Sequence, residues 1–144
     1  MAEGTIGGGA VLQIPDDVAT EKVWKALVLK VTRPDIFVPA LDLVIRPNPD
    51  GSTYREMTVG GKRMIENVFI DESKLEIRSE IVNGEDEYVN CIVTEEETGD
   101  RFIEFYKRRR LDLPPLPNRG LARIQTMSIG MHAVAKVVEI ARTL

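Results

Sequence analysis

The sequence predicts an α+β fold in which a curved antiparallel sheet of about seven strands wraps around one long C-terminal helix. Three observations predict it. From Asn118 to the end of the chain, apolar residues recur at helical spacing. Ahead of that stretch run short segments of alternating polarity joined by hairpin-length turns. Ahead of those stand a first strand and an amphipathic helix that carries the only tryptophan, Trp24. A sheet closed by a helix in this order is expected to enclose a cavity, which points to a small-ligand binder.

The bulk properties narrow the classes. At 144 residues the chain reads as one domain spanning 1–144. Its composition, 43% hydrophobic and 29% charged, is that of a soluble globular protein. A net charge of −4 argues against a nucleic-acid partner, which needs a concentrated basic face. The run Lys107-Arg108-Arg109-Arg110 is the local exception. It reads first as a solvated strand end, with an anion or partner site as the alternative. Cys91 is the only cysteine, so no internal disulfide can form and a reducing compartment fits. Its neighbours Tyr88 to Val93 are strand-like, which suggests a small buried apolar role. The start lacks the basic and apolar regions of a leader, and no window resembles a membrane span. A cytoplasmic protein is expected, as monomer or homodimer, with no membrane span, no metal and no cofactor.

Each element follows from its residues. Gly7-Gly8-Gly9 reads as a flexible start and Ala10 to Ile14 as a strand ended by Pro15. The glycines are not a phosphate loop, because no Lys-Ser/Thr follows them. Asp16, Asp17 and Thr20 are candidate caps for the next helix. Val23, Trp24, Leu27, Val28 and Val31 form its apolar face, with Glu21, Lys22, Lys25 and Lys30 expected outward. Pro34 ends it, since proline disfavours a helical residue before it. Ile36, Phe37, Val38 and Leu41 make a second short apolar turn.

The strands come next. Leu41 to Arg46 leads into the turn Pro47 to Gly51, and Tyr54 to Val59 into Gly60-Gly61. Met64 to Ile70 is followed by Lys74 to Val82, in which Leu75, Ile77, Ser79 and Ile81 share one face. Asn83-Gly84 is the sharpest hairpin signal in the chain. Tyr88 to Thr94 and Arg101 to Tyr106 flank the turn Thr98-Gly99-Asp100. Connections this short require antiparallel pairing, because parallel strands need long crossovers. Pro114, Pro115 and Pro117 form a stiff connector to the final helix. A helix of ~24 residues spans ~36 Å, enough to cross such a sheet.

The order of elements resembles the helix-grip fold of the Bet v 1/START-like (SRPBCC) superfamily. Within it, Val23 to Lys30, Pro34 to Ala40 and Tyr54 to Gly61 resemble the AtaL-like family, also listed as DUF1857. The resemblance covers nearly the whole chain and its motifs are mostly structural. It implies a cavity between sheet and long helix. Superfamily relatives bind lipids, hormones and polyketides, and some are cyclases, aromatases or isomerases. The proline-rich connector departs from the family pattern at the expected cavity entrance.

Several side chains are candidates for that cavity. Arg55 shares a strand face with Met57 and Val59 and could pair with a carboxylate, enol or phenol oxygen; the alternative is an exposed arginine paired with Glu66 or Glu76. Ser79 is the polar member of an apolar face. Ile77 and Phe105 would line the sheet side, and Met127, Met131 and Val134 the helix side, where methionine adapts to irregular apolar shapes. His132 is the only histidine and would sit on a helix flank, at the surface or at the cavity mouth. Glu66, Asn67, Asn90, Glu104 and Tyr106 would face inward in one register. No catalytic residue is singled out, and no metal-ligand spacing occurs. Two functions remain open: binding of a small hydrophobic or aromatic molecule, or a cofactor-independent cyclase, aromatase or isomerase acting on a polyketide-like substrate.

Overall fold

The computed structural model describes residues 5–110, 112–113 and 128–144. Strands β1 (Thr5–Gln13), β2 (Ala40–Pro47), β3 (Thr53–Val59), β4 (Lys62–Asp71), β5 (Glu76–Ile81), β6 (Asp86–Thr94) and β7 (Arg101–Arg109) form one seven-stranded sheet. Its order is β1-β7-β6-β5-β4-β3-β2, and every neighbouring pair is antiparallel. Helix α1 (Thr20–Thr32) lies between β1 and β2, and α2 (Ser128–Ala141) closes the chain. This is the expected helix grip. Met127, the proline connector and the expected start of the last helix lie outside the described residues.

Turn chemistry drives the meander. Gly60 and Gly61, at φ of 59° and 76°, provide the doubly left-handed hairpin turn that glycine adopts without steric cost. Asn83, at φ 60°, takes the left-handed position of the Asn83-Gly84 hairpin.

Three expectations are corrected. Gly7 to Gly9 are not a loose leader: they belong to β1, where Gly7 pairs with Lys107 of β7 and register shifts fall between Thr5 and Gly7 and between Gly7 and Ala10. Glycine tolerates such bulges, so the strand begins earlier than its apolar run. None of Asp16, Asp17 and Thr20 caps α1 through its side chain; Ala19 occupies the cap position. Thr20 Oγ1 instead accepts from Arg101 Nη1 at 2.9 Å, and Asp17 pairs with Arg142 at the end of α2. Finally, Lys107 to Arg110 is not a solvated strand end. Arg108 is buried and pairs with Glu87 and Glu76. Lys107 pairs with Asp86, Arg109 with Glu85 and Arg110 with Asp112. Acidic residues of β5, β6 and the following turn neutralise the run, so it offers no open anion site.

Helices and sheet meet in one core. Val23, Trp24 and Leu27 of α1 pack with Val134 and Val137 of α2 against Ile103 of β7. α2 lies on β1, β7 and α1, and α1 reaches β6. Pro34 terminates α1 as expected and starts a 3-10 turn, Pro34–Ile36. On the opposite face of the sheet, Val89, Cys91 and Tyr106 form a smaller buried cluster. There Cys91 has the packing role expected of it, and burial, with Glu104 and Glu76 nearby, pushes its thiol up to about 12.

Candidate functional site

The register decides which side chains share the helix-facing side of the sheet. Arg55 of β3 stands opposite Glu66 of β4; Val68 stands opposite Ser79 of β5; Ile77 stands opposite Asn90 of β6; Asn90 stands opposite Phe105 of β7. Cross-strand partners project to the same face, so all of these look toward the helices. Asn67, Glu104 and Tyr106 occupy the other face, as the pairing of Asn67 with Tyr54 and of Tyr106 with Val89 requires.

Arg55 and Glu66 form a buried ion pair. Arg55 Nε and Nη2 both donate to Glu66 Oε1, at 3.1 and 2.9 Å. Arg55 is 5% exposed and Glu66 1%, so each would be a costly lone charge without the other. Arg55 Nη1 donates to the carbonyls of Lys30 and Val31, both at 3.3 Å. These belong to the last turn of α1, whose carbonyls lack helical partners and carry the negative end of the helix dipole. Arg55 therefore spends most of its donors fastening α1 to β3 and β4. The sequence reading offered an inward arginine for a ligand or an exposed one paired with Glu66 or Glu76; the structure has Arg55 inward, buried and paired with Glu66.

Lys30 corrects a further expectation. It does not point outward. Its Nζ reaches between helix and sheet, donates to Asn90 Oδ1 at 3.1 Å and lies 4.9 Å from the centre of the Phe105 ring. Burial lowers the ammonium's pKa from 10.5 to about 8; the Arg55 charge lowers it further and Glu66 opposes the shift. Helical arithmetic carried the signal. At 100° per residue, Lys30 is about 20° from Val23 on the helix surface, squarely on the apolar face.

Apolar groups surround these polar ones. Met57, Ile77 and Phe105 are buried on the sheet side, and Val134 is buried in the core on the helix side. Met131 packs against the same core at its edge. The hydroxyl of Ser79, a residue at 6% exposure, makes no side-chain hydrogen bond among the described residues. Glu66 Oε2 and Asn90 Nδ2 likewise have none there. These three groups keep hydrogen-bonding capacity on a mostly apolar wall, the composition typical of small-molecule sites. His132 is exposed on α2 and stands apart from the cluster. Among the described residues, no group of His, Cys, Asp and Glu is placed to hold a metal ion, and no helix is long and apolar enough to cross a membrane. A shallow surface pocket of about 220 Å³ lies where α1 begins and α2 ends, and it contains none of the cluster.

No family model matches the chain. No curated protein matches it in sequence either. Solved structures do match in fold. The di-domain ARO/CYC StfQ from the steffimycin biosynthetic pathway aligns with TM-score 0.61 at 10% identity, covering 94% of this chain and 50% of that one. The Zhui aromatase/cyclase from Streptomyces sp. R1128 aligns with TM-score 0.52 at 15% identity, covering 94% and 85%. Major latex-like protein 151 from Panax ginseng aligns with TM-score 0.51 at 13% identity, covering 92% and 95%. The chain therefore has the Bet v 1-like helix-grip fold.

Proposed function

We propose that this protein binds a small, largely apolar or aromatic molecule, a lipid or a secondary-metabolite-like compound, between the sheet and its helices. The observation that carries the reading is the inward Lys30, beside Asn90, Phe105 and the Arg55–Glu66 pair, on a face otherwise built of Met57, Val68 and Ile77. Burial of the ligand's apolar surface, at roughly 25 cal/mol per Å², would supply most of the affinity, and the few polar groups would orient it. The protein acts as a single cytoplasmic domain, monomeric or dimeric, without a cofactor. The AtaL-like kinship belongs to this proposal and rests on the motif residues alone. Native mass spectrometry of freshly purified protein, with solvent extraction of what it holds, tests the reading. A discrete small-molecule adduct lost on denaturation is expected. An apo mass together with no thermal shift across a panel of apolar ligands would overturn it.

A second reading is a cofactor-independent cyclase or aromatase acting on a polyketide-like substrate. Two of the fold's matches are named aromatase/cyclases, which supports it. Lys30 favours it as well, because an amine with a pKa near 8 can exchange protons close to neutrality. In this version Lys30 moves the proton, and the Arg55–Glu66 pair beside it fixes the local field. His132, exposed on α2, has no part in it. No turnover of a poly-β-ketone surrogate would eliminate it; turnover unchanged by Lys30→Met and Glu66→Gln would keep the activity and remove these residue roles.

A further inference from the structure

We propose that the ligand carries an acidic group, and that this group sits against Lys30 Nζ and Asn90 Nδ2. The inference rests on the ligand-binding reading above and names the class of molecule. Its basis is a charge imbalance. The helix-facing cluster holds two cations, Lys30 and Arg55, and one carboxylate, Glu66. Glu66 is already engaged: its Oε1 takes both donors from Arg55. Among the described residues Lys30 forms no ion pair, and its one hydrogen-bond partner is a neutral amide oxygen. Outside the described residues the sequence has one acid, Glu3, and residues 114–127 contain no aspartate or glutamate.

Lys30 is half-buried, and a partly desolvated ammonium without an anion is costly, as its lowered pKa reflects. The charged groups that face it are Arg55 of β3, which adds to the cost, and Glu66 of β4, which only partly offsets it. A carboxylate, sulfonate or ionised enol on the ligand would complete the balance. Asn90 Oδ1 accepts from Lys30, and the two Nδ2 donors of the same amide are left for the anion. Phe105, whose ring lies under the ammonium, and Ile77 would take the apolar body next to the head.

The test uses two probes with one skeleton. 8-Anilinonaphthalene-1-sulfonate carries an anionic head; N-phenyl-1-naphthylamine has the same anilinonaphthalene body without it. Each is titrated by fluorescence into the full chain at pH 7, for the native protein, Lys30→Met and the exposed control Lys25→Met. The sulfonate should lose about tenfold in affinity on Lys30→Met, as a lost charged hydrogen bond does, while the neutral probe and the Lys25 variant change little. A measurement on the native protein guards against a variant that misfolds: the Lys30 side-chain carbon resonance, followed against pH, should titrate higher once the sulfonate is bound. If the neutral probe binds and the sulfonate shows no dependence on Lys30, the acidic-ligand inference falls and the binding reading stands. If neither probe binds, both fall.

Discussion

Lys30 and Asn90 meet 3.1 Å apart across the gap between α1 and β6, joining the helix end to the middle of the sheet. The amide is the ammonium's one neutralising contact from β6. Asn90→Leu removes it while keeping the side chain's size. The Lys30 pKa should then fall below its native value of about 8, as seen by carbon NMR titration. An unchanged value would mean that the contact is not populated in solution.

Lys30 also sets a pH dependence. Its folded pKa, about 8, lies below the ordinary value of 10.5. Between these, the unfolded chain keeps a proton that the folded chain has released, so the Lys30 contribution to stability rises with pH in that window. Below pH 8 both states hold the proton and the full penalty is present. Lys30→Met should therefore be more stable than the native protein at pH 7, by roughly 1–3 kcal/mol, with the gap closing toward pH 10.5. Urea denaturation of both proteins at matched pH checks this, and the shared titration of other groups cancels in the difference.

Breaking the Arg55–Glu66 pair from one side should be expensive. Arg55→Ala leaves Glu66 buried and unpaired and uncaps the last turn of α1. A loss of about 3–5 kcal/mol in urea denaturation is expected. The double variant Arg55→Met, Glu66→Leu should recover much of it, because no lone charge remains.

Cys91 should be inert in the folded protein. Its thiol is pushed up to about 12, so the reactive thiolate is scarce at neutral pH, and the side chain is buried. Ellman's reagent should label it only after denaturant is added. Rapid labelling of the native protein would contradict the packing on that face.

His132 should be dispensable. It is exposed on α2, so His132→Ala should leave the affinity for either naphthalene probe within about twofold, the scale of an ordinary surface change. A larger loss would bring that flank of α2 into the site.

The architecture was legible because its signals are local. Gly60-Gly61 and Asn83-Gly84 announce their turns within a few residues, and the alternation of Ile77, Ser79 and Ile81 needs no partner to be read. The site was harder because it depends on register and on habit. Arg55 and Glu66 are eleven residues apart and become partners only through the β3–β4 ladder. Lysine side chains usually reach solvent, and only the angular position of Lys30 beside Val23 marks it as inward. The basic run Lys107 to Arg110 reads as open charge until acids from other strands reach it. The strand character of Gly7 to Gly9 comes from β7 rather than from the glycines themselves.

The register shifts in β1 and β2 have a consequence for association. These strands are the two free margins of the sheet, where unsatisfied backbone groups would template another chain. β1 is interrupted near Gly7, and β2 is interrupted between Leu41 and Val44, where Asp42 turns to φ 53° and Pro47 supplies no N–H at the strand end. Neither margin presents a long, flat ladder. Growth by strand addition, the route to fibrils and to sheet-extended oligomers, is blunted at both ends.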